Sequence, residues 1–160
     1  AAVVAQQLRD HGGPGLCGQL LIYPATDSAG VYPSMHEPGV GVLHPADADW
    51  FLGHYLSDQA ERRDPRMSPL RAASLAELPA AVVVVCEYDP IRDEGIAYEK
   101  ALRAAGVASE LKYYAGQIHG FMSFAPMAPS ARAALHDFLA AFRRLLHGDE
   151  RGAATEQLGG

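Results

Sequence analysis

The chain has 160 residues, 49% of them hydrophobic, with 13 basic against 19 acidic side chains and a formal charge of −6. That length suits one domain with a real core and is short for two. The acidic balance without a basic cluster argues against nucleic acid and anionic membrane surfaces as partners. No apolar run reaches the roughly 20 residues of a membrane span, and the first residues lack the basic-then-apolar order of a secretory signal.

Apolar residues dominate positions 1 to 8 and "DHGGPG" then supplies helix-stopping glycines, which predicts a helix ending near Asp10. The helix opens at full strength with neither a capping Ser, Thr or Asp nor a methionine, so Ala1 is expected not to be a natural beginning. "CGQLLIYP", residues 17 to 24, predicts a strand buried on both faces. Cys17 and Cys86 both lie in apolar runs and are expected as small buried hydrophobes, in keeping with a reducing cytoplasm. Residues 25 to 46 carry Pro, Gly, Ser and Asp without a period and read as loop.

"DADWFLGHYLSD", residues 47 to 58, places Trp50, Phe51, His54 and Tyr55 at helical spacing, a short aromatic helix whose stripe reads first as core packing. A polar, proline-broken connection follows. "AAVVVVCEYD" predicts a central parallel strand: four consecutive valines are too apolar for an edge. Residues 92 to 105 step apolar positions by three and four, and Gly106 stands where a helix C-terminal glycine belongs. "VASELKYYAG", residues 107 to 116, alternates as a half-buried strand, which completes a βαβ unit. Ala131, Leu135, Phe138, Phe142 and Leu145 form the stripe of a last helix with Ser130 as its N-cap, and the polar tail 148–160 is expected to be disordered. The order predicts one α/β domain over residues 1–147, a parallel sheet with flanking helices.

In such sheets chemistry gathers at the carboxyl ends of strands. Asp89 falls where the valine-rich strand ends, and His119 follows the next strand after a short loop. Delivered by neighbouring strands, a carboxylate and an imidazole can meet there, the carboxylate fixing the tautomer while the other nitrogen takes a proton. The residues alone leave alternatives open. Asp89 before Pro90 also reads as a helix N-cap with its first-turn proline, Asp93 and Glu94 complementing the helix dipole, and His119 before Gly120 also reads as a turn residue. His44, Asp47, Asp49 and His54 show no ligand spacing, so no metal and no cofactor are expected.

"YDPIRDEG", a helix, "AGV", an alternating strand and "YAGQIHGF" together resemble the carboxyl half of the hormone-sensitive-lipase-like carboxylesterases of the α/β-hydrolase superfamily; "LLIYPATD" extends the resemblance upstream. The resemblance implies an α/β-hydrolase fold of which residues 1–147 are the C-terminal part. It makes Asp89 the triad acid and His119 the general base, in an enzyme acting on short acyl esters. It also puts Ile91 and Phe121 at the border of the substrate pocket, and Trp50 and Tyr55 in the segment that covers it.

The nucleophile must then come from elsewhere. "TDSAG" around Ser28 imitates a G-x-S-x-G elbow, but Thr26 stands where the first glycine belongs, and Pro33 and Pro38 cannot begin the helix that an elbow launches. Ser28 is therefore expected in a loop, with Asp27 and Ser28 satisfying turn backbone. The family's elbow feeds a helix similar to "AAVVAQQLRD", so the serine and the oxyanion segment are expected upstream of Ala1. The expected partners are a small-molecule ester and either that upstream segment or a second copy of the chain, because an unpaired central strand would otherwise promote association. A ligand-binding or receptor module on the same scaffold is the alternative; a flavodoxin-like phosphoacceptor domain would need more strands and an acidic cluster near the first.

Overall fold

The computed structural model describes residues 1–37 and 41–147. Helices α1 (Ala2–Asp10), α2 (Pro45–Tyr55), α3 (Arg92–Ala104) and α4 (Pro129–His147) alternate with strands β1 (Gln19–Ile22), β2 (Ala81–Tyr88) and β3 (Ser109–Ile118). The strands are parallel in the order β1-β2-β3, with Leu21 opposite Val83 and Val83 opposite Leu111.

The valine run is the middle strand, and its two-residue period divides the core. Ala81, Val83 and Val85 pack with Ala2 and Ala5 of α1 and with Tyr98 and Leu102 of α3. Val82, Val84 and Cys86 pack on the opposite face with Phe121 and with Ala134, Phe138 and Ala141 of α4. Each valine removed from water on such a doubly covered strand contributes on the order of 1.5–3 kcal/mol. Close approach of α3 to the sheet depends on Gly95, where a Cβ would stand 2.9 Å from Val85 Cγ1. The helix stops in a Schellman turn: Gly106, at φ +80°, donates to Arg103 O at 3.0 Å, and the Val107 N–H donates to Leu102 O at 3.0 Å.

That turn explains one departure from the sequence reading. Val107 belongs to the helix stop, so β3 starts at Ser109 and runs to Ile118, two residues later than the alternation suggests. α2 begins earlier than predicted because Pro45 occupies its first turn and Asp47 accepts the His44 N–H at 2.9 Å. Ser130 is not the cap of α4 but lies inside it, after Pro129. β1 is shorter than predicted; Gln19 and Leu21 are buried on one face, while Leu20 and Ile22 on the other are half-buried against the core under α4. Cys17 precedes the strand and is exposed, contrary to expectation, whereas Cys86 is buried. The tail 148–160 lies outside the described residues.

Candidate active site

β2 and β3 end side by side. Beyond Tyr88 the chain turns through Asp89, whose backbone carbonyl accepts the Arg92 N–H at 3.1 Å; beyond Ile118 the His119 N–H donates to Tyr88 O at 3.2 Å. Gly120, at φ +75°, turns the chain into the short 3₁₀ helix Phe121–Phe124. These turns place Asp89 Oδ2 2.8 Å from His119 Nδ1. The Asp89 side chain is buried and that of His119 is 23% exposed. Asp89 Oδ1 accepts the Ile91 N–H at 3.0 Å, and Cys86 Sγ lies 3.5 Å from Oδ2. One oxygen thus caps the turn into α3, as a plain helix-entry aspartate would, while the other holds the imidazole. A carboxylate acceptor at Nδ1 selects the tautomer with its hydrogen there and leaves the lone pair on Nε2.

His119 opens on a cavity of about 900 Å³, walled largely by apolar groups such as Met35, Leu43, Phe51 and Leu52. Ile91, expected at its border, and Tyr55, expected in the covering segment, both line it. Phe121 does not: it is buried in the core, 6.4 Å centroid to centroid from Phe138 and 5.7 Å from Tyr23. Trp50 is 61% exposed, stands outside the lining and packs on Phe51 and His54. The aromatic stripe of α2 is not core packing, since no residue of that helix is buried.

Ser28 also lines the cavity; its backbone N–H donates to Ser68 Oγ at 2.8 Å, and among the described residues its hydroxyl makes no hydrogen bond to His119. Asp27 departs from its expected role. Its carboxylate, buried, takes two bonds from Arg71 at 2.5 and 3.1 Å and one from the Tyr32 hydroxyl at 2.8 Å; only its carbonyl serves the turn, at Gly30 N.

Glu94 is a wall residue that sequence reasoning missed. Its buried carboxylate accepts the backbone N–H groups of Thr26 at 3.1 Å and Asp27 at 2.5 Å, while Thr26 Oγ1 donates to its carbonyl at 2.8 Å. Burial pushes this carboxyl up to about 7, against the lowering effect of the two N–H groups. Its partners lie 68 and 67 residues away, so no local pattern could have announced them.

Among the described residues, no three His, Cys, Asp or Glu side chains gather as a metal-ligand group, and no helix is long and apolar enough to cross a membrane. Of the four residues considered for a metal, Asp47 caps α2 and Asp49 pairs with Arg62 at 3.1 Å.

Residues 1–123 match the family model described as alpha/beta hydrolase fold. The chain is 42% identical over 149 residues to the carboxylic ester hydrolase LipN of Mycobacterium tuberculosis, covering 89% of this chain and 40% of LipN. It is 38% identical to the esterase LipI of the same organism, covering 92% of this chain and 47% of that one. In three dimensions it is similar to EstE1, a thermophilic carboxylesterase cloned from a metagenomic library, with a TM-score of 0.85 at 38% identity over 91% of this chain and 51% of that one. The Pyrobaculum calidifontis esterase gives a TM-score of 0.84 at 34% identity over 92% of this chain and 48% of that one. The chain thus spans less than half the length of the curated relatives it matches. With a parallel sheet between helical layers and a family model matched over residues 1–123, the chain belongs to the alpha/beta-hydrolase-fold family, and the relatives it resembles across nearly its whole described length are esterases.

Proposed function

We propose that residues 1–147 are the C-terminal portion of one α/β-hydrolase domain, contributing the acid and base of a Ser-His-Asp triad in a cytoplasmic carboxylesterase for short acyl esters. The serine and the oxyanion donors come from a segment outside the 160 residues. The observation that carries this reading is the 2.8 Å contact from Asp89 Oδ2 to His119 Nδ1 at the wall of a large apolar cavity. A module that only bound a ligand would need neither group in that arrangement.

In this reading Nε2 of His119 takes the serine proton as the serine oxygen attacks the ester carbonyl, and Asp89 stabilises the imidazolium that forms. The imidazolium then gives its proton to the departing alkoxide, and the acyl group remains on the serine. Water, deprotonated by the same nitrogen, attacks the acyl-serine; the acyl–oxygen bond breaks, the imidazolium returns its proton to the serine oxygen, and the acid leaves. Ile91 and Tyr55 border the bound ester.

The full-length protein is expected to hydrolyse p-nitrophenyl acetate and butyrate, and residues 1–160 expressed alone to show little or no turnover. A purified 160-residue chain whose hydrolysis of these esters is abolished by His119→Ala would overturn the placement of the serine elsewhere.

A further inference from the structure

Tyr23 directly follows β1, and its backbone sits at φ +36°, in the left-handed region where a Cβ is crowded. Pro24 behind it aggravates the strain, because a residue before proline is pushed towards extended conformations. Strand pairing nevertheless runs into the bend, the Tyr23 N–H donating to Val84 O at 2.7 Å. The ring delivered by this bend stands 4.8 Å, centroid to centroid, from the His119 imidazole at an interplanar angle of 52°. It packs edge-on against Phe121 at 5.7 Å, and its hydroxyl lies against the backbone of Met122. Backbone strain of this kind persists only where the surroundings overdetermine it, and it clusters at functional sites.

We infer that Tyr23 is a positioning residue for His119: its ring sets the plane of the imidazole that Asp89 holds at one nitrogen. A single hydrogen bond at Nδ1 leaves the imidazole able to swing about the line to Asp89 Oδ2. A ring packed against the imidazole removes that freedom and keeps the Nε2 lone pair on one bearing. Phe121, itself fixed against Phe138 and Tyr114, keeps the tyrosine ring from retreating. This explains why the Phe of the "HGF" segment is in the core and not on the cavity wall: it supports the residue that supports the histidine.

The inference rests on the triad reading above, and its test separates the two. In the full-length protein, Tyr23→Phe keeps the ring and is expected to hold kcat within about twofold of wild type. Tyr23→Leu and Tyr23→Asn remove it and are expected to lower kcat by about 30-fold with KM changed less than threefold, the signature of a misplaced reacting group and not of lost binding. Asparagine tolerates positive φ better than leucine, so Tyr23→Asn is expected to lose less Tm than Tyr23→Leu while activity falls equally. The His119 ring-proton resonances are expected to move in both variants as the aromatic ring current disappears. Leu and Asn variants with kcat within about threefold of wild type, or with His119 resonances unmoved, would overturn the inference. A full-length protein that hydrolyses no ester would overturn the triad reading and the positioning role with it, whereas an active enzyme indifferent to loss of the Tyr23 ring would overturn the positioning role alone.

Discussion

Replacing His119 with alanine in the full-length protein is expected to lower kcat/KM for p-nitrophenyl butyrate by about 10⁴- to 10⁶-fold, with KM little changed. The size of the effect follows from what the imidazole does. Without it a serine hydroxyl is a poor nucleophile at neutral pH, and the departing alkoxide has no proton donor; both steps lose the same group. Asp89→Asn is expected to cost about 10⁴-fold for a different reason: a carboxamide can present its NH₂ to Nδ1, stabilising the tautomer with the hydrogen on Nε2, where the lone pair is needed. The pair acts as a unit, so the double variant is expected to be little worse than His119→Ala alone. Steady-state kinetics of the three variants checks this, and a His119→Ala enzyme within tenfold of wild type would remove His119 from the chemistry.

Glu94→Gln is expected to stabilise the protein above neutrality and to flatten its dependence on pH. The ordinary value for this carboxyl is 4.5, and burial, reinforced by the neighbouring Asp27 and Asp89 carboxylates, raises it to about 7 in the folded state. The folded protein therefore binds this proton more tightly than the unfolded chain. The stabilisation is fully present below about pH 4.5 and is lost as pH rises through about 7. At about 1.4 kcal/mol for each pH unit, the swing amounts to about 3 kcal/mol. A glutamine keeps an oxygen to accept the Thr26 and Asp27 N–H groups and has no proton to lose. Urea unfolding is expected to give similar stabilities for variant and wild type near pH 4.5 and a variant more stable by up to about 3 kcal/mol near pH 8. Parallel stability curves across that window would show that Glu94 titrates as an exposed carboxyl.

The elements that positioned the site were legible because their signals are local. Four valines between Pro79 and Glu87 announce a doubly covered strand, and Gly106 announces a helix stop at its own position. That Asp89 and His119 meet was also legible, since each follows a strand of the same βαβ unit and parallel pairing puts the two ends together. What escaped is set by partners distant in sequence. The Asp27 carboxylate meets Arg71, 44 residues on, and not its own turn. Glu94 reads as an ordinary first-turn acid until the loop at Thr26 is folded over it. The border residues split for a related reason: Phe121, like Ile91, lies two positions beyond a triad candidate, but the 3₁₀ turn at Phe121–Phe124 directs it to the core, while Ile91, at the entry to α3, reaches the cavity. The strain at Tyr23 has no signature in the sequence, since the following Pro24 would push the residue before it towards extended backbone and not towards positive φ.

Treating the full-length protein with a fluorophosphonate probe and mapping the modified residue by peptide mass spectrometry locates the nucleophile. One labelled serine outside residues 1–160 is expected, with labelling lost in His119→Ala. Label on Ser28 would contradict this placement.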